Sequence, residues 1–291
     1  MSIFILGIGY TGGVFASRMR AAGHAVGGTA RDPARVAALR QDGIAALAFD
    51  VAGEIALPTS VFEDMEGLLV SIPPGREGDP LPGRLAPLIA AAARLRWIGY
   101  LSTVGVYGDH GGAWIDETTL ARPLSARSRA RLTAEATWLA LGEWASKPVI
   151  VFRLPGIYGP QRNALVSLRQ GTARRIVKPG QVFNRVHVED IASGLALSLA
   201  KDCTSAIYNL TDDEPSPPED VVTYAATLLG VEPPAAIAFA AADLSPMAAS
   251  FYGESKRVSN HLIRRALGFA PTYPSYREGL QALLRQGEGR A

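Results

Sequence analysis

The sequence is poor in cysteine, histidine and net charge, and each shortage removes a class of function. A single cysteine, Cys203, among 291 residues rules out an intramolecular disulfide or a multi-cysteine metal cluster and suits a reducing, cytoplasmic setting. The four histidines show no His-x-x-x-His spacing, so no metal site is expected. Lys plus Arg number 29 against 27 Asp plus Glu, a formal net charge of +2, too even a balance for nucleic-acid or membrane-surface binding. Long apolar runs are missing too. Ile3–Leu6 has no basic leader and breaks at Gly7, so it is expected to be a buried strand rather than a signal peptide or anchor.

What is present is 48% hydrophobic content, enough to bury a large core. In the first half short β-like runs alternate with longer helical segments, the pattern of a parallel sheet covered on both faces. Strands are expected at Ile3–Leu6, His24–Thr29, Ala45–Phe49, Gly67–Ile72, Trp97–Leu101 and Val149–Phe152. Helices are expected at Val14–Ala22, Pro33–Gln41, Arg84–Leu95 and Arg129–Trp144. These six strands predict an α/β protein with a doubly wound, Rossmann-type parallel sheet. The Pro/Gly-rich stretch Pro73 to Gly83 follows the fourth strand, at the edge where such sheets bind ligands, and reads as a flexible cover.

Residues 1–160 are assigned to the Rossmann domain, its sheet completed by parts of 185–212 that include the apolar run Ala206–Leu210. Residues 161–291 are expected to form mainly a smaller, interleaved C-terminal α/β substrate lobe. Helices at Pro218–Leu229 and Ser255–Leu267 and a strand at Ala235–Phe239 are expected within it.

The turn Gly7-Ile8-Gly9-Tyr10-Thr11-Gly12 lies between the first strand and the first helix. In such a turn the first glycine permits the tight bend, the second lets a pyrophosphate approach the backbone, and the third lets helix pack on strand. The helix amino terminus then faces the phosphates. About twenty residues further on, where ribose 2′ chemistry is read, stands Thr29-Ala30-Arg31-Asp32. Arg31 suits the 2′-phosphate of NADP, the favoured cofactor; Asp32 suits the free hydroxyl of NAD, or caps the helix that begins at Pro33. Asp50, ending the third strand, is assigned to the adenine side.

Four further segments, in order, resemble the extended short-chain dehydrogenase/reductase superfamily, the NAD-dependent epimerase/dehydratase family. Tyr100-Leu101-Ser102-Thr103-Val104-Gly105-Val106-Tyr107-Gly108 is similar to its fifth strand and active-site serine/threonine segment. Arg153-Leu154-Pro155-Gly156-Ile157-Tyr158-Gly159-Pro160 is similar to its Arg-x-x-x-x-Tyr-Gly-Pro segment, which implies Pro155 beside the cofactor. Val186-His187-Val188-Glu189-Asp190 and Tyr208-Asn209-Leu210 resemble its His-Val-x-Asp stretch and last strand. The resemblance implies hydride transfer on a small molecule, anionic or nucleotide-sugar-like, and a homodimer through Arg84–Leu95 and Arg129–Trp144.

Two departures stand out. Leu6 occupies a position where extended members carry glycine, so the Gly7-Ile8-Gly9-Tyr10-Thr11-Gly12 variant resembles the atypical branch of the superfamily. Where the family places its catalytic Tyr-x-x-x-Lys, this chain has Arg127-Ser128-Arg129-Ala130-Arg131. Arginine stays protonated at any working pH, so Arg127 cannot replace the tyrosine as acid or base; as a cation it suits an anionic ligand. Arg131 keeps the lysine's capacity to hold a ribose, and Thr103 the family's hydroxyl at the reacting oxygen or, alternatively, a strand-end role satisfying backbone. A replacement proton donor is sought among Tyr107, Tyr158, Asp109, His110 and His187, and Lys256-Arg257 reads as a substrate clamp or surface charge. Two functions follow: an NAD(P)-dependent oxidoreductase or epimerase, or a catalytically silent NADP(H)-binding sensor or partner-binding protein.

Overall fold

The computed structural model describes residues 1–53, 57–201 and 204–289; Cys203 lies outside them. The chain divides into two compact units. The first comprises Met1–Val106, Ala126–Arg153 and Ile191–Tyr208, and the second Tyr107–Ser125, Leu154–Asp190 and Asn209–Ala291. The second unit thus includes Tyr107–Ser125 and Leu154–Pro160, which lie inside the stretch read from sequence as Rossmann domain.

The first unit is built as β1 (Ser2–Leu6), α1 (Tyr10–Ala21), β2 (Ala25–Ala30), α2 (Pro33–Gln41), β3 (Ala45–Ala48), α3 (Ser60–Glu63), β4 (Gly67–Val70), α4 (Leu81–Ala91), β5 (Trp97–Thr103) and α5 (Ala126–Ala145). The strands Val149–Leu154 and Ala206–Asn209 follow. The sheet has seven strands, the six of the first stretch and Ala206–Asn209, in the order Ala206–Asn209, Val149–Leu154, β5, β4, β1, β2, β3. The pairs β1–β2, β1–β4, β2–β3 and β4–β5 are all parallel. Strand order reverses between β1 and its two neighbours, and in sheets of this kind ligands bind beyond the carboxyl ends at that reversal.

One face of the sheet buries Leu6, Leu68, Val70, Ile98 and Tyr100 against Leu85 and Ile89 of α4 and Trp138 and Leu141 of α5. On α1 and β5, Phe15 and Trp97 pack with centroids 6.3 Å apart, and the Trp97 indole donates to Ser198 Oγ at 3.0 Å. Two local starts match their sequence signals. Asp32 caps α2 by accepting from Ala34 N at 3.0 Å, with Pro33 in the first turn. Gly23, just past α1, takes φ +81, the left-handed stop that glycine permits. Helix α1 begins at Tyr10, not Val14, because the glycine turn passes directly into helix with Gly9 as its N-cap. Helix α4 likewise starts at Leu81, within the stretch read as loop.

In the second unit three short parallel pairs form: Gly156–Tyr158 with Arg185–His187, Arg175–Val177 with Ala236–Ala238, and Trp114–Ile115 with Arg257–Val258. The helices Ala164–Arg169, Pro218–Leu229 and Tyr276–Arg285 enclose a core of Tyr158, Leu165, Ala225, Tyr276, Leu280 and Leu283. The helix expected over Ser255–Leu267 is corrected here: a strand occupies Arg257–Val258 and helix covers only His261–Leu267. The cause is the Asn184 amide, which donates to Lys256 O at 3.0 Å and accepts from Val258 N at 2.8 Å, holding that backbone extended. No described helix is long and apolar enough to cross a membrane.

Candidate dinucleotide and active site

The three glycines of the first turn are required for different reasons. Gly7 has φ +89, and a Cβ there would meet Ile72 Cγ1 at 2.7 Å. Gly12 faces the Gly7 carbonyl, 2.9 Å from where its Cβ would lie. Neither position tolerates a side chain in the protein's own packing. Gly9 is different: a Cβ there would have nothing within 4 Å. Its glycine answers to no contact inside the fold, and it leaves open the ground a pyrophosphate would occupy.

The amino terminus of α1 is prepared in the same sense. No side chain caps it, and its first turn holds no acidic residue, so the positive end of the helix dipole has no carboxylate against it there. Thr29, on β2, fixes the turn from below. Its hydroxyl oxygen accepts from Gly7 N at 2.9 Å and its carbonyl from Ile8 N at 2.7 Å. Gly28 makes room for Ile8, whose Cδ1 lies 2.6 Å from a Cβ built there. Sequence reasoning missed Thr29 and Gly28 as turn supports; the signal available was a polar residue and a glycine inside an otherwise apolar strand. These features fit a bound dinucleotide.

Thr11 is buried, Tyr10 half-buried, and Arg31 exposed beyond the end of β2. Asp50 is exposed and accepts from Ala52 N at 3.1 Å, turning the chain after β3. The loop after β4 closes on itself through Gly75 N to Gly78 O at 2.9 Å. Its exit is tied to α5, because Asp79 accepts from the Trp138 indole at 2.8 Å and from Leu81 N at 3.0 Å.

Thr103 ends β5 half-buried, its hydroxyl oxygen accepting from Gly105 N at 3.1 Å. The strand-end role is therefore real, yet the hydroxyl proton remains to donate. A Cβ on Gly105 would lie 2.9 Å from Ser128 Oγ and 3.4 Å from Thr103 Oγ1, so this glycine admits two hydroxyls to one end of β5. Ser128 was not singled out from sequence; being the buried residue between two exposed arginines was its only signal. Arg131 donates to the Leu101 carbonyl, and its guanidinium lies 5.8 Å from the centre of the Tyr100 ring. Among the described residues the Tyr100 hydroxyl has no hydrogen-bond partner. Burial holds its phenol well above the ordinary range, with Arg131 opposing, so it stays protonated.

Beneath Thr103 runs a buried ionic network. Ser102 donates to Glu135, and Arg153 clasps the same carboxylate through Nε at 3.2 Å and Nη2 at 2.7 Å. It joins β5, α5 and the strand Val149–Leu154, and it sets α5, with Arg127 and Arg131, in register on the sheet.

The second unit holds the other candidates. Tyr107 is fully buried, its hydroxyl donating to Asn209 Oδ1 at 2.9 Å. Tyr158 is buried and donates to Ser275 O at 3.3 Å, and burial pushes its phenol up. His187 accepts from Glu189 N on Nδ1 at 3.2 Å, so the neutral ring carries its proton on Nε2, which has no hydrogen-bond partner among the described residues; burial lowers its pKa to about 4. Asp109 accepts from Ser255 N at 2.7 Å and Gly111 N at 3.2 Å, bonds that hold its carboxyl below the usual range, the Ser255 bond foremost. His110 contacts the Tyr107 carbonyl at 3.1 Å, and Pro155 is half-buried. Lys256 is neither substrate clamp nor surface charge. It is buried, donating to Gly108 O and Glu254 Oε2 at 2.6 Å each, while Arg257 donates to Gly112 O. Among the described residues no cluster could hold a metal ion.

Comparison with known proteins agrees with this geometry. Residues 3–72, from β1 through β4, match the model of the ketopantoate reductase PanE/ApbA family. A 3-diazoavenalumate denitrifying reductase from a Streptomyces species is 28% identical over 142 residues, 45% of this chain and 45% of that protein; the match thus spans less than half of the relative's length. The UDP-glucuronic acid 4-epimerase of Bacillus cereus, solved with NAD, superposes with a TM-score of 0.78 over 99% of this chain and 100% of that one at 16% identity, a likeness of fold. A conserved protein of unknown function from Silicibacter pomeroyi DSS is 46% identical with a TM-score of 0.89. Since that identity extends over 99% of both chains, the protein belongs to one family with the Silicibacter pomeroyi protein.

Proposed function

We propose that the chain is an NADP-dependent oxidoreductase or epimerase acting on a small, anionic molecule. The observation that carries the reading is Gly9, which within the glycine turn leaves open space beside a helix amino terminus that no side chain caps. The reductase and NAD-bound epimerase among its relatives support it. When bound, a nicotinamide dinucleotide supplies a hydride donor or acceptor.

The chain's own residues have separate parts. The backbone of Gly7 to Gly12, with Tyr10 and Thr11, holds the pyrophosphate, Arg31 pairs with the ribose 2′-phosphate, and Asp50 faces the adenine. Arg131 keeps donors beyond the one given to Leu101 and holds the second ribose. Thr103 hydrogen-bonds the reacting oxygen, Arg127 attracts the anionic group, and Pro155 enters by resemblance alone. Tyr107 has no part, its hydroxyl being committed to Asn209. The protein is proposed to work in the cytoplasm and to pair as a homodimer through α4 and α5, where Trp144 is 64% exposed; light scattering tests the pairing.

Calorimetric titration with NADP⁺, NADPH, NAD⁺ and NADH tests the reading, and binding by none of the four overturns it. The silent-sensor alternative is favoured by one observation, arginine at both positions of the family's Tyr-x-x-x-Lys pair. Tight NADPH binding without turnover across a panel of carboxylate and nucleotide-sugar substrates would select it.

A further inference from the structure

Gly105 stands two residues past the end of β5. Its φ is not in the left-handed region, so the backbone does not call for glycine there. The packing does. A Cβ would lie 2.9 Å from Ser128 Oγ, 3.4 Å from Thr103 Oγ1 and 3.6 Å from Thr103 Cγ2. These three nearest atoms belong to two hydroxyl side chains, and glycine is what lets Ser128 come up beside the end of β5.

Ser128 reaches that point because of its place on α5. Ser128, Arg131, Glu135 and Trp138 follow at steps of three and four residues, which puts them on one helical face. The last three all meet β5. Arg131 donates to Leu101 O, Glu135 accepts from Ser102, and Trp138 stacks on Tyr100 with centroids 6.1 Å apart. Arg153 clasps Glu135 from the neighbouring strand with Nη2 at 2.7 Å, which locks the face about two helical turns from Ser128. Ser128 itself is 6% exposed, whereas Arg127 and Arg129 on either side are exposed. Its hydroxyl is thus carried on a rigid element at the carboxyl end of the sheet, the edge at which such sheets bind ligands.

We infer that Ser128 contacts the substrate: its hydroxyl and that of Thr103 together hold one carbonyl or secondary-alcohol oxygen of the small molecule. The inference rests on the enzyme reading above. A hydroxyl donates one hydrogen bond and accepts two, so each of these can keep a bond inside the protein and still meet a ligand. Thr103 spends an acceptor position on Gly105 N at 3.1 Å and keeps its proton to donate. Two donors converging on one oxygen fix it from two directions and stabilise charge that develops on it more than one does. Gly105 has the complementary role: a side chain there would stand between the two hydroxyls and the oxygen they share.

The test is steady-state kinetics on the full-length protein and its Ser128→Ala, Ser128→Thr and Gly105→Ala variants, with a panel of hydroxy acids, oxo acids and nucleotide sugars. NADPH titration and urea denaturation accompany each variant. Loss of one donor at the reacting oxygen predicts a kcat about 100-fold lower in Ser128→Ala, with NADPH affinity changed less than about twofold. Ser128→Thr keeps the hydroxyl and should recover part of the rate. Gly105→Ala drives a methyl against Ser128 Oγ and should lower kcat in the same way. A Ser128→Ala kcat within about threefold of the parent, beside an inactive Thr103→Ala, overturns this inference and leaves the enzyme reading standing. An equal loss of kcat, NADPH affinity and stability also overturns it, because Ser128 would then serve packing. A parent that binds NADPH tightly and turns over no member of the panel overturns the inference together with the enzyme reading.

Discussion

Replacing Gly9 by alanine separates folding from ligand binding more sharply than any other single change. The added methyl would meet nothing within 4 Å, so no overpacking is expected. Alanine is a poorer N-cap than glycine by roughly 0.5–1 kcal/mol, and restricting the unfolded chain returns about 0.4–1 kcal/mol. The net change in stability should therefore stay within about 1 kcal/mol. Gly7→Ala is the contrast: φ of +89 and Ile72 Cγ1 at 2.7 Å combine a left-handed penalty of about 1–2 kcal/mol with overpacking of about 1–3 kcal/mol. In Gly9→Ala the methyl stands on the pyrophosphate ground, and losing a charge-assisted backbone contact costs about 1.5–3 kcal/mol, or roughly 10- to 150-fold in affinity. Urea denaturation and NADPH titration of both variants read the two effects. A Gly9→Ala protein that binds NADPH within about threefold of the parent would refute the reasoning, because the open space would then serve no ligand.

The other predictions address chemistry and stability. Thr103→Ala should abolish any turnover found in the substrate panel while leaving NADPH affinity intact; unchanged turnover would remove Thr103 from the site. Glu135→Ala strands Arg153, whose side chain is 6% exposed, and should cost about 3–5 kcal/mol by denaturation; a loss below about 1 kcal/mol would show that water reaches the arginine. Lys256→Met removes the bond to Gly108 O, and is expected to cost about 1–3 kcal/mol and to speed proteolysis between Tyr107 and Ser125. His187 has its folded pKa lowered from 6.5 to about 4 by burial, so below 6.5 the unfolded chain binds the extra proton. Its contribution to stability is present above about pH 6.5 and is lost as pH falls towards 4, by at most about 3 kcal/mol. Burial raises the pKa of Asp212, a change that acts in the opposite sense, so the measurement is the difference in stability between the parent and His187→Asn across that range. A flat difference would show that His187 is not buried neutral.

How much was legible in the sequence depends on how local the determining contacts are. The glycine turn, the Asp32-Pro33 start of α2 and the helix Pro218–Leu229 rest on neighbours a few residues away, so their residue types announce them. The seventh strand, Ala206–Asn209, was visible as an apolar run. Its place at the sheet edge beside Val149–Leu154 was not, since that pairing joins distant parts of the chain. Short strands such as Trp114–Ile115 and Arg257–Val258 are set by each other and by the Asn184 amide, and none of these signals lies inside the window that suggested a helix. Lys256 was misread for a related reason. Its charge suggested a clamp or the surface, and only the fold shows Lys256, and likewise Arg153 with Glu135, beside the partner that makes burial tolerable.

The same distinction bears on where the site is firm. Gly7, Gly12, Gly28 and Thr29 hold the turn through contacts that would exist without any ligand, so their identities argue for the fold. Gly9 and Arg31 make no such contact: a Cβ on the first would have nothing within 4 Å, and the second is exposed beyond the end of β2. At the dinucleotide end the Gly9→Ala titration therefore reads ligand binding directly. At the reacting end, the hydroxyl of Thr103 and the guanidinium of Arg131 are each already used within the fold, so turnover measurements rather than packing must decide their role.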